Sequence, residues 1–241
     1  MKIKFLLTVF TLSLGLMISC SDDDGDDGTP KGKRLTKIEE LDGDGDYKKF
    51  SYDSNGRLIS IEDGDEDGLQ EKVTIAYDGQ SISKIQMFDP ELYATQNFTY
   101  KEDSVFISGE DLFRGSVNDT LIINISSGTL QKFLNNRTIT YSYDEKGNIL
   151  STSYRSDKLS YDTNPSFYST TGVPYWFLNY LYETTDFMED YAGTNNILSS
   201  SYNGVVNGEY SYEYDKDGYP IVMIDKDLDY EEESRRLKII Y

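Results

Sequence analysis

A chain of 241 residues is long enough for one large β domain with its own core. Its formal charge of −20, from 43 acidic against 23 basic residues, argues against nucleic acid or anionic membrane surfaces as partners, since both need basic patches. It has no histidine, which removes the commonest general base and the commonest zinc ligand, and its single cysteine excludes an internal disulfide.

Residues 1–19 have the form of a secretory signal: Lys2 and Lys4 precede an apolar run from Phe5 to Met17 that is too short to cross a bilayer as a helix. The run closes in Leu16-Met17-Ile18-Ser19-Cys20, which resembles the lipobox of bacterial lipoproteins. That resemblance implies acylation of Cys20, attachment to the outer membrane and a mature chain that begins there. Residues 20–33 carry Asp22, Asp23, Asp24, Asp26 and Asp27 among Ser and Gly, a composition that buries too little surface to fold and reads as a flexible tether. An acidic run after the lipid cysteine is similar to the surface-export signal of Bacteroidetes lipoproteins; a plain solvated linker fits equally well. The side of the outer membrane is therefore open.

A single antiparallel β domain is expected over residues 34–241. Its unit is Tyr141-Ser142-Tyr143-Asp144-Glu145-Lys146-Gly147-Asn148-Ile149-Leu150. Rings alternate with hydroxyls at a period of two, Asp144 opens a turn and Gly147 closes it, so the unit predicts a hairpin. Copies stand at 50–59 and 210–221, with looser ones at 75–82, 98–105 and 123–130. Tyr52, Tyr77 and Tyr100 are 25 and 23 residues apart, and a fixed period of this size marks a repeat. The 21 tyrosines fill core and sheet faces in this reading, or form an exposed ring platform for sugars or peptides.

Two acidic clusters fall at predicted strand ends, 42–46 and 63–68. The second matches the opening of a calcium loop, which would make Asp63, Asp65 and Asp67 ligands, but Thr74 stands where the loop needs a bidentate Glu. An acidic hairpin loop is the simpler reading, and no other cofactor motif is present. Residues 163–194 break the repeat. Pro174 suits a first helical turn, and Phe177, Leu178 and Leu181 share one helical face. A second helical piece is expected through Phe187, Met188 and Tyr191, stopped by Gly193. This insert is either a plug over an open end of the sheet or a ligand site, with Tyr175, Trp176 and Tyr180 as the stacking rings. Hairpins then resume to Tyr241. The positions opposite the rings carry Ser, Thr, Lys, Glu and Asp, which predicts a water-facing domain instead of a membrane-spanning barrel.

The Y-D-x-x-G turns are similar to the tyrosine-aspartate repeats of bacterial Rhs-type proteins. With Cys20, the Tyr161-Asp162-Thr163-Asn164-Pro165 break and Asn195-Asn196-Ile197-Leu198, the chain resembles an uncharacterised Bacteroidetes lipoprotein family with a porin-like fold. The resemblance implies an up-and-down meander forming a strongly curved sheet or barrel, and no catalytic residues. Three functions follow: a lipid-anchored binding or scaffold module for a glycan, peptide or envelope protein; a histidine-independent glycoside hydrolase with paired carboxylates; or a carrier of an apolar ligand inside the sheet.

Overall fold

The computed structural model describes residues 33–112, 115–124, 129–134, 137–153, 158–185, 187–228 and 234–241, with the side chains of 122–138 left aside. The expected signal peptide, the expected tether up to residue 32 and the expected acylation at Cys20 lie outside these residues, as does the turn of the 123–130 copy.

The described strands are β1 (Lys37–Glu40), β2 (Tyr47–Tyr52), β3 (Leu58–Asp65), β4 (Gly68–Asp78), β5 (Ser81–Asp89), β6 (Leu92–Lys101), β7 (Ser104–Asp111) and β8 (Gly115–Asn124). They continue as β9 (Thr129–Leu134), β10 (Arg137–Tyr143), β11 (Ile149–Thr152), β12 (Lys158–Pro165), β13 (Asn195–Tyr202), β14 (Val205–Tyr214), β15 (Pro220–Asp227) and β16 (Ser234–Ile240). Each pairs antiparallel with the next, and β1 pairs with β16, Ile38 standing opposite Ile239, so the meander closes into a barrel. The two ends differ. The turn end carries the Y-D turns, the residues before β1 and Tyr241. The mouth carries the β1–β2, β3–β4, β13–β14 and β15–β16 connections.

Three turns share one hydrogen-bond pattern. Asp53 Oδ1 accepts from the amides of Asn55 and Arg57, Asp144 Oδ1 from Lys146 and Asn148, and Asp215 Oδ1 from Asp217 and Tyr219, all at 2.8–3.0 Å. Gly147 has φ 92°, a conformation that only glycine adopts without strain. After each of these turns the return strand holds a β-bulge. Tyr52 faces Leu58 and Ser51 faces Ser60, so Ile59 is the extra residue; Leu150 and Ile221 occupy the same place in their hairpins.

The bulges explain the tyrosines. A bulge interrupts the ladder, and a hydroxyl from the following hairpin supplies a donor there. Tyr77 donates to the carbonyl of Leu58 (2.7 Å), Tyr100 to Ile82 (2.9 Å), Tyr161 to Ile149 (2.7 Å), Tyr212 to Ile197 (2.8 Å) and Tyr241 to Pro220 (3.0 Å). Each acceptor immediately precedes a bulged residue. The repeat is thus a belt of side-chain staples around the turn end.

Wall residues such as Ile61, Val73, Ile85, Leu121 and Met223 face inward and join one apolar cluster with the insert. Barrels of this strand number leave a channel when only their walls fill them. Here residues 166–194 enter from the turn end and occupy the space. They comprise a 3-10 helix, Phe167–Thr170, and α1, Tyr175–Thr184, whose Phe177, Leu178 and Leu181 have no exposed surface. The expected second helix is not formed. The described residues of 185–194 run irregularly because side chains serve their backbone: Asn179 accepts from the Ala192 amide (2.6 Å) and donates to its carbonyl (3.0 Å), and Tyr168 Oη accepts from the Glu189 amide (3.0 Å). Asn164-Pro165 closes β12 instead of forming a turn of its own.

Outward positions carry ion pairs between neighbouring strands, Lys72–Glu62 (2.7 Å) and Lys238–Glu39 (2.9 Å) among them, and hydroxyl pairs such as Ser142–Ser151. Large apolar side chains, among them Phe88, Phe106, Leu150 and Ile224, are also exposed on the outside.

Candidate functional site

The strand alternation is broken at four inward positions near the mouth. Lys48 is in phase with Phe50, Asp63 with Ile61, Asp225 with Met223, and Arg235 with Leu237. The insert brings Glu189 between them. Lys48 bonds Asp63 and lies 3.4 Å from Glu189; Arg235 reaches Glu189 at 3.1 Å and Asp225 at 2.8 Å. One continuous chain of charges therefore runs Asp63–Lys48–Glu189–Arg235–Asp225 and joins the plug to both flanking walls.

The environment sets the charge states. Burial lowers the Lys48 pKa, but Glu189 and Asp63 more than reverse this and leave it raised. Arg235 follows the same logic: burial opposes its charge, Glu189 and Asp225 restore it, and the net shift is upward. Burial raises Asp63 despite Lys48. Asp190, next along the insert, is 7 % exposed, and burial pushes its carboxyl up to about 7. Its Oδ1 accepts from the Tyr191 amide (2.7 Å), and the Tyr210 hydroxyl lies against the carboxyl and favours its charged form.

Beside this chain lies a cavity of about 310 Å³, lined by Ser200, Gly208, Tyr210, Asp225, Asp227 and Arg235 with Asn207. Gly208 keeps it open. A Cβ there would come within 2.6 Å of Ser200 Oγ and 3.2 Å of the Tyr210 hydroxyl. A smaller cavity of about 110 Å³ sits across Arg235, against Lys48 and Glu189.

Of the described residues singled out in the sequence, Asp63 belongs to this site and the others are placed elsewhere. Tyr180 is 2 % exposed and donates to Gln96 Oε1 at 2.8 Å, so it has no ring face open for stacking. Tyr175 and Trp176 are half-buried at the turn end, Trp176 packing edge-on against Tyr100 and Phe177. Asp63, Asp65 and Asp67 do not converge. β3 runs through the cluster, Asp63 turns inward to Lys48, and Asp65 accepts from its own turn, the Asp67 and Gly68 amides at 2.8 and 3.1 Å. Among the described residues no three acidic or thiol groups gather as they would around a metal ion. The mouth site was missed because its residues are far apart in the chain. Its only trace is charge at positions where the alternation demands an apolar residue.

No family model and no curated protein matches this sequence. Among solved structures, a porin-like protein from Bacteroides uniformis is similar at 13% identity and a TM-score of 0.38, over 86% of this chain and 96% of that one. A porin-like protein from Bacteroides vulgatus is similar at 14% identity and a TM-score of 0.41, over 86% and 98%.

Proposed function

We propose that the chain is a lipid-anchored cell-envelope protein whose barrel binds a small polar ligand, a glycan residue, in the mouth cavity without catalysing a reaction on it. The observation that carries this is the cavity itself. It is polar on nearly every side, held open by Gly208, and lies at the lower end of the size range of small-molecule sites. Its hydroxyl, amide and carboxylate groups suit a polyhydroxylated ligand, and the Tyr210 ring gives such a ligand an apolar edge.

Two alternatives receive less support. Glu189 and Asp225 are the carboxylate pair nearest a hydrolase arrangement, but the Arg235 guanidinium bridges them and fills the place of a scissile bond. A carrier of an apolar molecule needs a hollow core, and the insert fills the described interior. The anchor reading fits the direction of the chain. Lys33 sits at the turn end beside Asp215, so a tether from Cys20 would join the barrel at that end, opposite the mouth.

A glycan array and an envelope pull-down, run on the purified protein and on Gly208→Val, test the site. Retention of a glycan by the first and its loss in the second is expected. A protein that retains no glycan, or whose glycan binding ignores the substitution, overturns the reading. Mass spectrometry of the mature N-terminus checks the acyl group on Cys20.

A further inference from the structure

The hairpin that walls the cavity continues beyond it. Ser200 of β13 lines the cavity, Gly208 of β14 stands opposite it, and Tyr210 follows on the same face. Asn207 is the extra residue of a β-bulge on β14, and past it Val205 pairs with Tyr202. β13 itself is regular from Ser200 to Tyr202, so alternation puts these two on one face, about 7 Å apart along the strand. Tyr202 and Val205 therefore form an upper edge on the cavity's own side of the hairpin. Both are open to solvent, Tyr202 at 48 % and Val205 at 66 %.

Tyr202 is unlike the stapling tyrosines, which turn a ring to the core and donate to a carbonyl. Among the described residues it has neither a hydrogen bond nor a ring contact. The turn does not require it, since Asn203 and Gly204, with φ of 50° and 83°, make the two-residue bend. The β3–β4 tip on the same rim is built from charge, Asp65 to Asp67, whereas the tip above the cavity is apolar on that side.

Resting on the reading of the cavity as a glycan site, we infer that the site takes a chain of at least two sugar residues, the first enclosed beside Tyr210 and the next stacked on the Tyr202 ring. A pyranose carries hydroxyls around its edge and C–H groups on its faces. A polar cavity suits an enclosed unit, and an exposed ring suits the face of the following one. At about 310 Å³ the cavity encloses one unit, so a longer chain leaves over the rim. The step from Ser200 to Tyr202 is comparable to the length of one sugar unit. A protein partner at this tip would have no use for the cavity beneath it.

Titration calorimetry on the purified protein tests this. The probes are glucose, galactose, mannose and N-acetylglucosamine, each as monosaccharide, disaccharide and trisaccharide. For the sugar that binds, the disaccharide should bind about tenfold tighter than the monosaccharide, or about 1.4 kcal/mol, with little further gain in the trisaccharide. That ratio should persist in Tyr202→Phe, which keeps the ring, and fall to about one in Tyr202→Ala. The tip is exposed, so neither substitution is expected to unfold the barrel. Nitration mapped by mass spectrometry should show the disaccharide shielding Tyr202 but not Tyr93, which is 60 % exposed on the outer side of β6. A ratio near one in the unaltered protein overturns the inference and leaves the glycan site standing. A ratio that survives Tyr202→Ala, or nitration of Tyr202 that the disaccharide does not slow, also overturns it. If no sugar binds, the chain-length inference falls, and the array decides separately whether a glycan site exists.

Discussion

Tyr77 shows why the repeat is built on tyrosine and not on phenylalanine. Its ring packs inward against the core, and its hydroxyl reaches the Leu58 carbonyl at the bulge of the preceding hairpin (2.7 Å). Burial pushes its pKa up to about 12, so it remains a neutral donor across the physiological range. Tyr77→Phe keeps the ring and removes the donor. A loss of about 1 kcal/mol in denaturant unfolding is expected; no loss would mean that the hydroxyl contributes nothing net of water. Asp190 gives the opposite kind of case, a polar group whose burial is unfavourable when it is charged. Its ordinary value near 4 rises to about 7 in the folded protein, so between those values the folded state keeps a proton that the unfolded chain has lost. The stability it contributes is full below about pH 4 and is lost as the pH rises toward 7, at up to about 1.4 kcal/mol per pH unit. In Asp190→Asn that slope should disappear, which denaturation midpoints across this range will read. An unchanged slope would place the burden on another group. The tyrosines and turn aspartates were legible in the sequence because their partners lie one hairpin away. Asp190 was not, since its burial depends on walls that are far off in the chain.

At the scale of elements, the hairpins are local solutions and the insert is not. Each Y-D turn satisfies its own amides through an aspartate, so its geometry travels with its sequence. The insert takes its shape from what surrounds it. The helical face of Phe177, Leu178 and Leu181 could be read from spacing, but the stretch around Phe187 and Met188 could not. Its backbone bonds to Asn179 and Tyr168, and that option removes the need for a helix. Glu189 then fixes the insert to two walls through Lys48 and Arg235. Glu189→Gln removes one of two carboxylate partners from each cation, leaving Asp63 on Lys48 and Asp225 on Arg235, and should lower stability by roughly 1 kcal/mol. Combined with Lys48→Met the loss should be smaller than the sum of the two single losses, because one shared interaction is being removed twice. Strict additivity in that cycle would show that the two residues are not coupled.

Across the whole molecule, closure creates a volume that the walls do not fill. A closed barrel of sixteen described strands whose described inner faces are largely apolar needs either a lipid-like occupant or a piece of the chain, and the described residues of 166–194 supply the latter. Replacing those residues with a short Y-D turn should abolish cooperative unfolding and let a hydrophobic dye bind. A cooperative, dye-free barrel would reverse the reading of the insert as a plug. The sequence by itself determined the local rules: alternation fixed which face of each strand is apolar, and the Asp and Gly spacing fixed the hairpins, because both depend on neighbours within a few residues. Tertiary structure alone decided that the sheet closes through β1 and β16, that the insert lies inside, and that Lys48, Asp63, Glu189, Asp225 and Arg235 share one mouth. Those outcomes depend on contacts between residues as many as 204 positions apart, and no local pattern encodes which distant strand a charged inward residue will face.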